Sequence, residues 1–315
     1  MARFIFRRLI LLVVTVFAAS VLAFMVPYLG SADPARTILR SRVSDLALDP
    51  ATVEAVRLQL GLDQPLYIQY VRWLQTVFSG DFGFSFTSNQ PVFDLVIPAL
   101  RVSVVLAVAA LGTAFVVAIP LGVMAAVRAG HRVDGVILAT TQGFVALPEY
   151  WLAPLGILVF AVWLGVLPSA GWTSPASIVL PALVLSLRPL AYLLSVTRAA
   201  MITVIGSPFV VAARSRGLSQ RRTLWRHAPR NAAVPVMTLF SIWLAGTISG
   251  SVVVEVIFSI PGLGRLMYNA VVNTDVPVLQ AGVIVTVTMA VVINTLTDIG
   301  YAVLNPAVVV GESHG

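Results

Sequence analysis

The chain has no cysteine and no lysine, only three histidines, and 13 acidic residues against 20 basic ones, all of them arginine. Without cysteine there is no disulfide framework and no thiolate metal site, and His131, His227 and His314 lie too far apart in sequence to suggest a structural metal cluster. Without lysine there is no G-x-x-x-x-G-K-[ST] phosphate loop, so ATP, if it is used, must be hydrolysed by another chain. G-x-S-x-G and H-E-x-x-H are missing as well, and no spacing of serines and histidines gathers a nucleophile and a base. The expectation is a non-catalytic chain that binds no cofactor and no metal of its own.

Charge of either sign is scarce. Only 10% of residues are charged, against roughly 25% in soluble domains, while 58% are apolar and the mean hydropathy is +0.95. These values predict an all-α integral membrane protein. A span needs about 20 mostly apolar residues, and six stretches qualify: 9–28, 99–127, 135–165, 176–197, 233–257 and 278–304. The first follows Arg3, Arg7 and Arg8 as a signal peptide would. Its apolar run from Leu9 to Val26 outlasts an h-region of about 7 to 15 residues and lacks a small-x-small cleavage site, which favours an uncleaved anchor.

The arginines set an orientation. They flank the first span, link the second to the third (Arg128, Arg132), and number seven from Arg198 to Arg230 between the fourth and fifth. The link between spans three and four has none, and that between five and six has only Arg265. By the positive-inside rule both termini and the basic stretch are expected on the cytoplasmic side. Five arginines in the link between spans one and two do not count against this. That link is too long for the rule to apply, and its seven acids from Asp33 to Asp94 outnumber them.

The long outer link carries helix signals of its own. Asp49-Pro50, an apolar pattern through Val53, Val56 and Leu60, and then Gly61 read as an N-cap, a first-turn proline and a glycine stop. A second helix is expected from near Pro65, with Tyr67, Tyr70, Val71, Leu74 and Phe78 on one face. That face suits a membrane surface, a docking cap or the loop's own small core.

ARSRGLSQRRTLWRHAPRNAAVP (213–235) holds six arginines and a histidine and no acid. At about 2.5–3.5 kcal/mol per arginine at the bilayer centre, burying it in lipid would cost roughly 15–20 kcal/mol, so it must lie in water or headgroups. Ser207-Pro208, Gly217, Ser219, Pro229 and Pro235 punctuate it into a short helix, a turn and another short helix. An element of that kind, hung from two spans, serves either as an anionic-lipid contact or as a lever for a partner protein.

Val211-Ala212-Ala213, three residues and Gly217, with His227-Ala228-Pro229 further on, resembles the cytoplasmic loop of bacterial binding-protein-dependent ABC importers. The resemblance extends over nearly the whole chain through LGLDQPLYIQYVRWLQTVFSGDFGFSF (60–86), AIPLGVMAAVRAGHRVDG (118–135), VVVEVIFSIPGLG (252–264) and NTLTDIGYAVLNP (294–306). It is closest in kind to the B-type membrane subunit of dipeptide and oligopeptide permeases. Two positions depart from the loop pattern: Val211 stands where the family has an acid, and Arg230 follows Pro229.

The resemblance implies a six-span permease of the type I ABC importer kind, with an anchor (1–28), an extracytoplasmic helical loop (29–98), a core domain (99–304) whose coupling loop spans about 198–232, and a cytoplasmic tail (305–315). It implies a multi-pass protein of the cytoplasmic membrane that imports di- or oligopeptides. Nickel, haem or glutathione remain open as other cargoes of the same architecture, and an ion-coupled secondary transporter as a reading outside it. Ala212, Ala213, Arg214, Arg216, Gly217 and Leu218 would contact the ATPases, which bind the ATP and Mg. Pro261, Gly262 and Gly264 would form an outer gate or receptor contact. Implied partners are a second homologous permease chain, one or two ATPase subunits, an extracytoplasmic binding protein, the peptide and lipid, but no nucleic acid.

Among the ionisable residues inside the spans, four stand out: Glu149 beside Pro148 and Pro154, Arg188 before Pro189, Glu255 and Asp298. Isolated charge in lipid is costly, so each is expected either to line a wet pathway or to form an intramembrane ion pair.

Overall fold

The computed structural model describes residues 2–28, 35, 36, 39, 49–59, 61–208, 215, 239, 240 and 242–304. Among these residues the regular structure is helical apart from one isolated bridge between Phe84 and Pro91. Four helices are long and apolar enough to cross a membrane: Phe4–Tyr28, Val92–Val127, Ala176–Ile205 and Val276–Gly300. The pair Arg132–Ala146 and Glu149–Trp163, bent by 100°, makes a fifth if it is one broken span. A sixth span, expected over 233–257, is described only in part. Its visible portion, Ile242–Ile257, is a shorter apolar helix, and most of its earlier part lies outside the described residues.

In chain order the elements are α1 (Ala2–Met25) with a 3-10 turn at Val26–Tyr28, α2 (Pro50–Gln59), α3 (Leu66–Phe78), α4 (Val92–Val127) and α5 (Arg132–Ala146). They continue with α6 (Glu149–Gly156) running into a π-helical stretch at Ile157–Trp163, then α7 (Ala176–Ile205), α8 (Val252–Ile257), α9 (Leu263–Val272) and α10 (Val276–Leu304). The chain separates into two compact units, Met1–Ser103 with Pro261–Gly315, and Val104–Ile260.

In the first unit α1 packs along α10, and Arg8 reaches Asp298 at 3.0 Å. Helix α2 begins as its sequence dictates: Asp49 Oδ1 accepts from the Ala51 N–H at 3.3 Å, and Gly61 ends the segment at φ 66°. A left-handed residue of this kind is most readily glycine. Helix α3 starts after Pro65, as expected, but turns a different face inward. Tyr70 shares a 2.7 Å hydrogen bond with Ser20, and the rings of Tyr70 and Trp73 lie 5.4 and 5.6 Å from that of Phe24. Tyr67, Val71 and Phe78 stay 70%, 50% and 83% exposed. The start of α4 packs on α9 and α10 through Val92, Val96, Ala99, Leu263 and Val278. Close approach of α9 to α10 needs Gly282, where an added Cβ would lie 2.7 Å from Met267 Cγ.

In the second unit Ala114 and Ala118 of α4 meet Leu193 and Leu194 of α7. One turn further, Gly122 lets the two backbones nearly touch. A Cβ there would fall 2.8 Å from Thr197 Cβ and 2.9 Å from the Leu194 carbonyl. Small residues at helix crossings are how membrane helices gain packing without a hydrophobic driving force between them. Hydroxyls inside these helices are satisfied locally: Thr113, Thr141, Ser195, Thr197 and Thr247 each donate to the carbonyl four residues back at 2.7–2.9 Å.

Candidate transport site

Ala212, Ala213, Arg214, Arg216, Gly217 and Leu218 lie outside the described residues. The element leading to them is described. Helix α7 ends at Gly206, and Ser207 Oγ donates to the Val204 carbonyl at 2.5 Å. Just before that end, Arg198 grips Asp134 through two bonds of 2.7 Å each, one from Nε and one from the guanidinium nitrogen Nη2. Asp134 also accepts from the Gly130 N–H at 3.0 Å, in the turn that opens α5. The carboxylate is buried, and it fastens the start of α5 to the last turns of α7. Sequence reasoning did not single out this pair. Its signal was a lone acid beside Arg128, His131 and Arg132, in a link otherwise basic.

The ionisable residues inside the spans separate into two kinds. Asp298 is held by Arg8. Glu255 is fully buried and accepts from Ser251 Oγ at 2.6 Å. Glu149 and Arg188, in contrast, line the same pocket of about 330 Å³. Among the described residues neither side chain makes a hydrogen bond or an ion pair. The walls add Pro148, Tyr150, Leu185, Trp243, Gly246 and Thr247.

Why the pocket opens there follows from the prolines. Leu147 leaves the helical region (ψ 125°) and Pro148 caps α6, so the 100° bend falls between Ala146 and Glu149. Pro154 stays inside α6, and Pro181 and Pro189 stay inside α7. A proline has no N–H to give the carbonyl four residues earlier. Pro154 therefore withholds a donor from Tyr150, and Pro189 withholds one from Leu185. Both freed acceptors belong to residues that line the pocket.

Toward the α8–α9 turn, Ser259 takes φ 53° and Gly262 is the N-cap of α9. Pro261 and Gly262 fall in the bend, whereas Gly264 lies inside the first turn of α9. Ser103 Oγ accepts from the Leu263 N–H at 2.8 Å. Nearby in the sequence, Asp275 gathers the loop before α4. Its Oδ2 accepts from Ser85 Oγ at 2.5 Å and from the Thr87 N–H at 3.2 Å, and its Oδ1 accepts from the Phe86 N–H at 3.1 Å. This knot was not foreseen either, because its partners stand about 190 residues apart.

Comparison with known proteins follows the same outline. Residues 118–310 match the family model described as "Binding-protein-dependent transport system inner membrane component". Residues 1–107 match the one described as its N-terminal part. A protein of Brucella abortus (strain 2308) named "Putative peptide transport system permease protein" is 36% identical over 316 residues, covering 98% of this chain and 99% of its own. One of Brucella suis with the same description is 37% identical over 321 residues, with the same coverage. The "Glutathione transport system permease protein" of Escherichia coli (strain K12) is 34% identical over 308 residues, again with 98% and 99% covered. Among solved structures, a chain of the MetNI methionine ABC transporter superposes with a TM-score of 0.57 at 18% identity, over 67% of this chain and 96% of that one. At that identity the likeness concerns the fold alone.

Proposed function

The chain belongs to the binding-protein-dependent transport system inner membrane components, and on that premise we propose that it carries di- or oligopeptides across the cytoplasmic membrane. As a member it is a non-catalytic permease subunit of an ABC importer, which replaces the ion-coupled reading. The single observation that carries the peptide reading is the 36% identity, over 98% of the chain, to a relative named for peptide transport. The E. coli relative named for glutathione favours a second, neighbouring reading, since glutathione is itself a tripeptide.

In this reading a second homologous permease completes the pathway, an extracytoplasmic binding protein delivers the peptide, and one or two ATPases hold ATP and Mg. Ala212, Ala213, Arg214, Arg216, Gly217 and Leu218 dock on an ATPase, and the Asp134–Arg198 clamp passes its movement from the end of α7 to α5. Residues 1–28 anchor the chain, 29–98 lie outside, 99–304 form the transport core, and 305–315 trail into the cytoplasm with the other terminus. Pro261, Gly262 and Gly264 lie over the outer mouth of the pathway. The basic loops support that orientation.

The test is the ATPase rate of the complex that co-purifies with this chain, reconstituted in lipid with its binding protein, against peptides of two to eight residues, glutathione, nickel and haem. Stimulation by peptides is the expected result. Stimulation by nickel or haem alone overturns the substrate.

A further inference from the structure

We propose that the Glu149–Arg188 pocket is a transit site for a zwitterion, with the free ammonium of a short peptide at Glu149 and its free carboxylate at Arg188. The inference rests on the peptide-importer reading and adds the chemistry by which the membrane subunit itself recognises its cargo.

Depth is the first argument. At 1.5 Å per residue, Arg188 stands about 18 Å from one end of α7 and about 26 Å from the other. A hydrocarbon core of roughly 30 Å therefore encloses it. Glu149 sits at the break in the middle of the bent pair. Each charge would cost about 2.5–3.5 kcal/mol in lipid. A structural ion pair would reduce that cost, as Arg8 and Asp298 show, yet Glu149 and Arg188 form none although they line one cavity. Opposite charges that attract across one cavity without closing on each other leave between them a space that a molecule carrying both signs can fill.

Chemistry of the walls is the second argument. Glu149 contributes a carboxylate, and Tyr150 and Leu185 line the same pocket with a helical donor withheld from each by Pro154 and Pro189. The carboxylate matches the charge of an ammonium. Arg188 supplies the planar fork that matches a carboxylate. Tyr150 and Trp243 offer apolar surface for a side chain, and Gly246 and Gly250 leave room for it. The formal charges of the two side chains cancel, so the pocket suits a neutral zwitterion better than a divalent cation or the dicarboxylate of haem. About 330 Å³ lies at the small end of ligand sites, the scale of a dipeptide rather than of a long chain. A site on a pathway must also release what it binds, and two separated single-charge contacts are weaker than a closed cage.

The experiment uses the intact complex with its partner permease and ATPases in nanodiscs, without the binding protein, so that the binding protein's own selectivity does not enter. Radiolabelled alanyl-phenylalanine is compared with its N-acetyl and its C-terminal amide forms. Each cap is expected to weaken binding about tenfold, equivalent to about 1.4 kcal/mol. Glu149→Gln should remove the penalty for the acetyl group and keep that for the amide. Arg188→Gln should do the reverse, and Arg188→Lys should restore the carboxylate preference. Co-purification of the partner chains shows that a variant has assembled. The proposal is overturned by equal binding of capped and free peptide, by no binding at roughly 10 mM, or by an assembled variant that loses both preferences together. If peptides still stimulate the ATPase with the binding protein present, only the pocket is refuted. If no peptide does so, the parent reading falls with it.

Discussion

Replacing Asp275 by alanine tests how the loop before α4 is held. The carboxylate is buried and accepts three hydrogen bonds, from Ser85 Oγ, Phe86 N–H and Thr87 N–H. Ser85 can turn its hydroxyl elsewhere, whereas the two amides are fixed by the backbone. A part-buried donor that loses its acceptor costs about 1 kcal/mol, the low end of the range for buried groups. Two such losses give about 2 kcal/mol, which corresponds to roughly a 30-fold faster opening of the segment. Amide hydrogen exchange of the assembled complex, read at peptides covering residues 81–91, measures this directly. Asp275→Asn refines the forecast. An amide oxygen at the Oδ2 position keeps Ser85 and Thr87, but its NH2 then faces the Phe86 N–H. Acceleration should therefore be smaller, about tenfold, and centred on Phe86. Unchanged exchange at Phe86 and Thr87 in the alanine variant would refute the reasoning, since the knot would then contribute nothing to holding the loop.

Three further expectations concern the second unit and the loop beyond α7. Gly122→Ala places a Cβ within 2.8 Å of Thr197 Cβ and should cost about 1–3 kcal/mol by overpacking, read as a lower melting temperature of the purified complex. Asp134→Ala removes both bonds from Arg198, so coupled ATP hydrolysis should fall, and the Asp134→Ala/Arg198→Ala double variant should fall no further because the same link is already broken. Wild-type coupling in either variant would contradict the clamp. Gly217→Trp puts bulk into the turn proposed to meet the ATPase, so uptake or ATPase association should fall while membrane insertion persists. Wild-type uptake in that variant would count against the lever.

Much of the span pattern was legible because long apolar runs leave few alternatives. Asp49-Pro50 and Gly61 marked the ends of α2, and Pro65 the start of α3, through local chemistry that needs no tertiary partner. The inward face of α3 was harder to read. Leu66, Tyr67, Tyr70, Val71, Trp73, Leu74, Val77 and Phe78 form one broad apolar arc opposite Gln69, Arg72, Gln75 and Thr76, so periodicity does not say which edge of that arc meets α1. Phe17, Ser20 and Phe24 of α1 decide it, by drawing Tyr70 and Trp73 inward. The prolines flagged a break near Glu149, but which of them bends the chain depends on backbone geometry: Pro148 sits at the bend and Pro154 within a helix. That Glu149 and Arg188 line one cavity could not be read from residues 39 positions apart, because only the packing of α6 on α7 brings them there.

The pairing of α1 with α10 has a consequence for the order in which the protein is made. About 250 residues separate the end of α1 from the start of α10. At roughly 5–20 residues per second, synthesis of that interval takes on the order of 10–50 s. Throughout it Arg8 waits for Asp298, and the side of α1 that α10 will cover faces lipid or whatever insertion machinery attends it. Helix α1 can endure the wait, because Phe6, Val13, Phe17 and Leu22 are more than half exposed even in the finished fold, a surface made for acyl chains. Folding of this unit is therefore closed by a helix made about 250 residues after the first, and a ribosome stalled before Val276 holds an inserted chain whose first helix still lacks its neighbour.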